Sequence, residues 1–203
     1  MFMIKELTRI TQELDDKGYT LTSYEKLGLP FDPKLVGELC TAAAAGTFSP
    51  AAADLTKHIE KSNMAMVQDE AALELGRRLV RPVVEAIFRA SPQALSNWSL
   101  YAMNRYDAPA ASLGSHQDSV GSTVLVVTAS GVRDFNIHER PESVGQETPI
   151  KETFRVEPGS IMILDAQADP AHSVTCVEGP SVSAVLDVPD LLRPPESYQI
   201  NQV

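Results

Sequence analysis

Phe154-Arg155-Val156-Glu157-Pro158-Gly159-Ser160-Ile161-Met162-Ile163-Leu164-Asp165 is the stretch that decides the fold of this chain. Two apolar, β-favouring runs flank Glu157-Pro158-Gly159, and Pro followed by Gly supplies the backbone of a tight turn. The pattern reads strand, turn, strand. It recurs downstream as Ser173 to Val177, a Glu178-Gly179-Pro180 turn, and Ser181 to Val188. Both are expected to be hairpins. Upstream, Trp98 to Arg105 and Val124 to Thr128 read as strands, Gly131 begins a turn, and Phe135 to His138 forms another strand. Tyr19 to Tyr24 alternates and adds one more. Short strands at regular spacing with turn signals predict a sandwich or barrel.

Helical signals precede these strands. Ile4, Leu7, Ile10 and Leu14 recur at helical spacing and Gly18 stops them, which predicts a helix over 3–17. Asp32-Pro33 opens another through Leu35, Leu39 and the Ala42–Ala45 run, ended by Gly46. Ser49-Pro50 repeats the same start signal, so a short helix is expected over 50–60. Gln68 to Ala90 carries the strongest stripe, Leu75, Leu79, Val83 and Ile87, with Pro82 expected to bend or split it. Helices ahead of strands predict an α+β fold: a double-stranded β-helix, or jelly roll, backed by N-terminal helices. The expected organisation is a single domain over 1–203, with 1–95 as mostly helical support and 96–190 as the jelly-roll core.

The chain has 203 residues with 43% hydrophobic and 22% charged side chains, the balance of a soluble globular protein. A formal net charge of −10 argues against a nucleic-acid partner, whose phosphates need clustered Lys and Arg. Cys40 and Cys176 have no paired metal spacing and read as free thiols of a reducing cytosol. No apolar run approaches the ~18 residues of a membrane span, and no signal-peptide core opens the chain, so a cytoplasmic location is expected. A homo-oligomer is left open.

His116-Gln117-Asp118 and His172 carry the chemistry. Residues i and i+2 on a strand project to one face. His116 and Asp118 on one strand, with His172 at the start of another, would supply two imidazoles and a carboxylate. That is the composition of a facial triad, which holds Fe(II) and leaves positions open for other ligands. Zinc takes the same donors. His138, beside Glu139 and Arg140, is the alternative third ligand. His58 falls among Lys57, Glu60 and Lys61 and reads as a surface residue. The loop over 139–150, with two prolines and several carboxylates, reads as a surface loop and a candidate lid.

Trp98 to Val188 resembles the Fe(II)/2-oxoglutarate-dependent oxygenases. The likeness rests on Asn104-Arg105-Tyr106, His116-Gln117-Asp118, Val156 to Leu164, His172, and Gly179 to Val188. N-x-Y followed by HxD and a distant His is similar to the AlkB-type subgroup. The resemblance implies iron on His116, Asp118 and His172, with 2-oxoglutarate as co-substrate and O₂ as oxidant. Asn104, Tyr106 and Ser183 would contact the keto acid. It implies hydroxylation, desaturation or a related C–H oxidation, and acidity leans the substrate toward a small molecule. One position departs. Where the family carries Arg-x-Ser in its last strand, this chain has Ser181-Val182-Ser183. A hydroxyl cannot replace the charge-assisted fork of an arginine on a carboxylate. Arg193, Arg155, Arg133 and Arg105 are the available cations, and Arg193 is the expected substitute. Two other classes keep the same residues: a cupin-like metal enzyme without redox chemistry, such as an isomerase, which needs no keto-acid arginine, and a non-catalytic binding module.

Overall fold

The computed structural model describes residues 2–45, 48–50, 65–67, 69–89, 92–107, 109–118, 122–139, 148–165, 168 and 170–189. Helix α1 (Phe2–Lys17) leads into strand β1 (Tyr19–Ser23), then the single turn α2 (Tyr24–Leu27), α3 (Pro33–Ala45), β2 (Phe48–Pro50) and β3 (Ala65–Val67). Helices α4 (Glu70–Ile87) and α5 (Pro92–Asn97) follow. The chain then runs through β4 (Ser99–Tyr106), β5 (Ser112–His116), β6 (Ser122–His138), β7 (Ile150–Val156), β8 (Ser160–Leu164) and β9 (His172–Pro189).

Two long strands organise this list. The first half of β6 pairs with β8 and with the last half of β9, while its second half pairs with β7 and with the first half of β9. One set of strands therefore runs β1-β8-β6-β9-β4-β3-β2, and a second runs β7-β6-β9-β5. All pairings are antiparallel. The result is the α+β, helix-backed double-stranded β-helix expected from the order of the signals.

The connections differ from expectation in an instructive way. Glu178-Gly179-Pro180 does not close a hairpin: Ser173–Val177 and Ser181–Val188 belong to one continuous β9, and both halves pair with β6. Glu157-Pro158-Gly159 likewise carries the chain from β7 in the smaller sheet to β8 in the larger. Gly131 also lies inside β6 and marks its bend. It has φ +71, and a Cβ there would stand 2.5 Å from Ser181 Cβ and 2.6 Å from the Glu178 carbonyl. The bends of the two long strands thus cross in contact. Turn residues announce a change of direction, and local sequence does not say whether the chain folds back or passes to a facing sheet.

The N-terminal half follows its periodicity with small shifts. In α4, capped by Asp69, the buried stripe is Ala72, Gly76, Leu79, Val80, Val83, Val84 and Ala86, rotated from the expected one. Gly76 lets the helix press on β4, since a Cβ there would meet Met103 Sδ at 2.7 Å. Pro82 does not split the helix. Phe48–Pro50 pairs with Ala65–Val67 as an edge strand where a helix was expected to start; the remainder of that expected helix, with His58, lies outside the described residues. Proline is tolerated at a sheet edge because its missing donor can face away from the ladder.

Side-chain alternation sorts the apolar residues into two clusters. Leu125, Val127, Ile161, Ile163, Ala184 and Leu186 face the helices. Val124, Val126, Met162, Leu164 and Val185 face the smaller sheet, with Phe135, Ile137, Val156 and Val174 opposite. The second cluster encloses the interior in which the polar site lies.

Candidate metal centre and anion pocket

The interior is built in three tiers by strand register. At the mouth of the smaller sheet, His116 pairs with His172, which pairs with Ile137. One step inward stand Leu113, Val174, Phe135 and Phe154, and at the floor Cys176, Arg133 and Val156. The larger sheet repeats this order. Its floor row is Met66, Asn104, Ser183 and Thr128; its middle row is Ala102, Val185, Val126, Met162 and Leu21. Polar side chains therefore occupy the mouth and the floor, with an apolar belt between them.

At the mouth, β5 and β9 bring the two histidines together as a cross-strand pair, ring centroids 4.2 Å apart. Asp118 lies two residues beyond the end of β5, so only His116 of the HxD stretch is on the strand. The carboxylate nevertheless turns back: Oδ1 is 3.9 Å from His116 Nε2 and Oδ2 is 3.5 Å from His172 Nε2. The three donor atoms lie within 4.8 Å of one another. Ligands in adjacent positions at ~2.1 Å from a metal ion stand roughly 3 Å apart, so closure needs movements of up to about 1 Å per side chain.

The tautomers suit a cation. His116 Nδ1 lies 2.9 Å from the Gly114 carbonyl and His172 Nδ1 lies 3.0 Å from that of Pro170. A carbonyl only accepts, so each Nδ1 carries the proton and each Nε2 presents a lone pair to the centre. Burial pushes both imidazoles down to about 4; the neighbouring His172 adds to the effect at His116, which Asp118 partly offsets. Both rings are neutral at neutral pH, the form that ligates. Phe135 stacks on His172 at 5.1 Å and 9°, fixing its plane. His138 stands apart, with Nδ1 2.9 Å from the Thr148 carbonyl and Nε2 2.8 Å from Ser173 Oγ.

The floor holds what the sequence did not single out. Arg133 is 1% exposed. Its Nη1 donates to Ser183 Oγ and its Nη2 to Thr128 Oγ1, both at 2.6 Å, and its guanidinium lies over the Tyr106 ring at 5.4 Å. Nε is buried without a hydrogen-bond partner. Among the described residues no carboxylate forms an ion pair with it, and desolvation lowers its pKa. An arginine held in apolar surroundings by neutral hydroxyls costs several kcal/mol that an incoming anion would offset. Asn104 pairs in register with Ser183, and its Oδ1 is also buried without a partner.

The other expected cations are placed elsewhere. Arg105 donates to the Ala43 carbonyl at the end of α3 and pairs with Asp107. Arg155 forms an exposed ion pair with Asp134 at 3.1 Å. Arg193 and residues 140–147 of the expected lid lie outside the described residues. Ser181 is fully buried and donates to the Ser130 carbonyl at 2.7 Å, packed against the bend at Gly131. That position has no room for a guanidinium. Arg133 could have been found from sequence only by noticing an arginine on the inward side of a strand, alternating with Phe135 and Ile137.

No protein-family model matches the sequence, and no curated protein matches it. Solved structures do. A prolyl hydroxylase from Trichoplax adhaerens, in complex with a hypoxia-inducible-factor peptide, superposes with TM-score 0.63 at 12% identity, covering 92% of this chain and 90% of that one. The Pseudomonas putida prolyl-4-hydroxylase gives 0.54 at 14% identity over 90% and 98% of the two chains. SnoN, a non-haem α-ketoglutarate-dependent epimerase of nogalamycin biosynthesis, gives 0.56 at 16% over 91% and 84%. The chain has the double-stranded β-helix fold of the 2-oxoglutarate–Fe(II) oxygenases, and its His116, Asp118 and His172 fit their HxD…H pattern. No described helix is long and apolar enough to cross a membrane.

Proposed function

We propose that this protein is an Fe(II)- and 2-oxoglutarate-dependent oxygenase acting on a small organic molecule. The observation that carries the reading is Arg133: a buried guanidinium without a carboxylate, one apolar tier inward from a His-Asp-His mouth. A keto acid with a second carboxylate at its far end matches that sequence of metal, apolar belt and cation. His116, Asp118 and His172 would hold iron through Nε2 and carboxylate oxygens. Iron supplies the redox chemistry by which O₂ oxidises a C–H bond while 2-oxoglutarate becomes succinate and CO₂.

The chain's own residues set the geometry. The Gly114 and Pro170 carbonyls hold the imidazole protons on Nδ1. Arg133 offers a planar fork to the distal carboxylate, with Ser183 and Thr128 orienting it. It takes the role that the sequence resemblance gave to Arg193. Asn104 and Tyr106 line the same floor. Val126, Val185, Met162 and Phe135 exclude water from the belt, which strengthens the charge interactions on either side. The cupin-like alternative drew its support from the neutral Ser181, and Arg133 removes that support.

The test is anaerobic. Fe(II)-loaded protein titrated with 2-oxoglutarate is expected to develop a visible charge-transfer band and, once O₂ is admitted, to release succinate. Absence of both would overturn the reading.

A further inference from the structure

We infer that the Asp187 carboxylate recognises a protonated amine on the organic substrate, an inference that rests on the oxygenase reading above. Alternation along β9 places Ser183, Val185 and Asp187 on the interior face. Asp187 is paired in register with Val124, whose row continues through Leu164 to Tyr19. In the mouth tier of the larger sheet it is therefore the charged member of a largely apolar row, across from His116, Asp118 and His172.

Among the described residues Asp187 makes no hydrogen bond or ion pair. It is half-buried, and both desolvation and the charge of Asp118 oppose its ionisation. A carboxylate partly withdrawn from water in this way gains from a ligand that brings it a hydrogen-bond donor and a positive charge. Charge counting identifies the ligand. A divalent ion, Asp118 and the chelating carboxylate of the keto acid sum to zero, and Arg133 neutralises the distal carboxylate. Asp187 is the negative charge at the mouth that this set leaves unmatched. A hydroxyl would offer it one hydrogen bond, whereas a protonated amine offers both hydrogen bonds and charge. The protein's net charge of −10 favours the approach of cations in general.

The experiment uses full-length protein loaded with Fe(II) and 2-oxoglutarate under nitrogen, titrated calorimetrically with putrescine, spermidine and Nα-acetyl-lysine. The counterparts that lack the ammonium group are 1,4-butanediol for the two polyamines and Nα-acetyl-norleucine, which keeps the same α-carboxylate, for Nα-acetyl-lysine. At least one amine is expected to bind at least about tenfold more tightly than its counterpart. Asp187→Asn should erase that preference and Asp187→Glu should restore part of it, while the affinity for 2-oxoglutarate stays within about twofold in both variants. Equal binding of amine and counterpart, no amine binding at all, or an undiminished preference in Asp187→Asn would overturn the assignment. Failure of the wild-type protein to bind 2-oxoglutarate in the presence of Fe(II) is a separate outcome, which removes the oxygenase reading and this inference with it.

Discussion

The mouth and the floor of the interior are both polar, yet they are assembled by opposite means. The mouth draws two of its three candidate ligands from a three-residue stretch and the third from the strand paired with β5. Its hydrogen bonds run to backbone carbonyls two residues away. The floor joins two sheets: Arg133 rises from the smaller one and is held by Ser183 and Thr128 of the larger. A metal site can be made from local geometry. Thr128 lies only five residues from Arg133 on the same bent strand, but Ser183 comes from β9, fifty residues on, so the guanidinium is oriented only once the two sheets are assembled. The difference predicts that the two ends fail independently.

The largest effect is expected at the mouth. His172→Ala should weaken Fe(II) binding by at least about 100-fold, measured by equilibrium dialysis, since a vacated position loses a ligand and leaves Asp118 facing one imidazole. His138→Ala should leave metal affinity within about twofold, because its ring is bound to Thr148 and Ser173 instead. The opposite result would reassign the third ligand.

At the floor, Arg133→Met should raise the dissociation constant for 2-oxoglutarate by about 100-fold, close to the ~3 kcal/mol of a lost charge-assisted pair. Metal affinity should hardly change. The ligand-free variant should also melt no lower than the parent, because replacing a buried, carboxylate-free guanidinium with a flexible apolar chain removes a desolvation cost. A large loss of stability would mean that Arg133 is structural and would break the contrast between the two ends.

Legibility from sequence divides along the same line. The mouth was readable because HxD and a histidine before a strand are patterns of spacing and residue type. The helix-backed strand fold was readable because α1, α3 and α4 keep helical periodicity and the later runs keep strand composition. The sheet crossings at Glu157-Pro158-Gly159 and Glu178-Gly179-Pro180 were not, since hairpin and crossover share the same turn residues. Arg133 was visible only as one of several cations. Its distinction is burial against β6 and β9, and burial is a property of the assembled interior. Ser181 drew attention as a missing arginine, while the buried arginine of the interior, Arg133, stands on the neighbouring strand β6.

That exchange can be tested by reversing it. Ser181→Arg in the Arg133→Met background restores the family pattern in sequence, yet it should not restore 2-oxoglutarate binding. Ser181 is fully buried against Gly131 and donates to the Ser130 carbonyl, so the larger side chain should cost ~3 kcal/mol in urea unfolding. Recovery of binding would show that the bend can open to admit a guanidinium.

The mouth also carries a pH-linked signature in the metal-free protein. His116 and His172 titrate near 4 in the fold, against 6.5 in an unperturbed imidazole. Between those values the unfolded chain holds more protons, so acid favours unfolding and stability rises with pH across this window. Lowering the pH from 7 to 4 should cost about 3 kcal/mol for each of the two imidazoles. His172→Gln should flatten the profile by about half, as followed by urea midpoints. Arg133→Met, at the other end, should leave its slope unchanged.

The smallest effect separates the roles within the floor. Ser183→Ala removes one neutral acceptor from Arg133 while Thr128 and the charge remain. Loss of a single such bond is worth about 1 kcal/mol, which corresponds to about fivefold weaker 2-oxoglutarate binding by calorimetry. Because Ser183 accepts from the guanidinium itself, Ser183→Ala and Arg133→Met should be non-additive. Strict additivity would mean that Ser183 contacts the anion independently of Arg133, whereas a Ser183→Ala effect that vanishes in the Arg133→Met background would mean that Ser183 acts only by orienting the guanidinium.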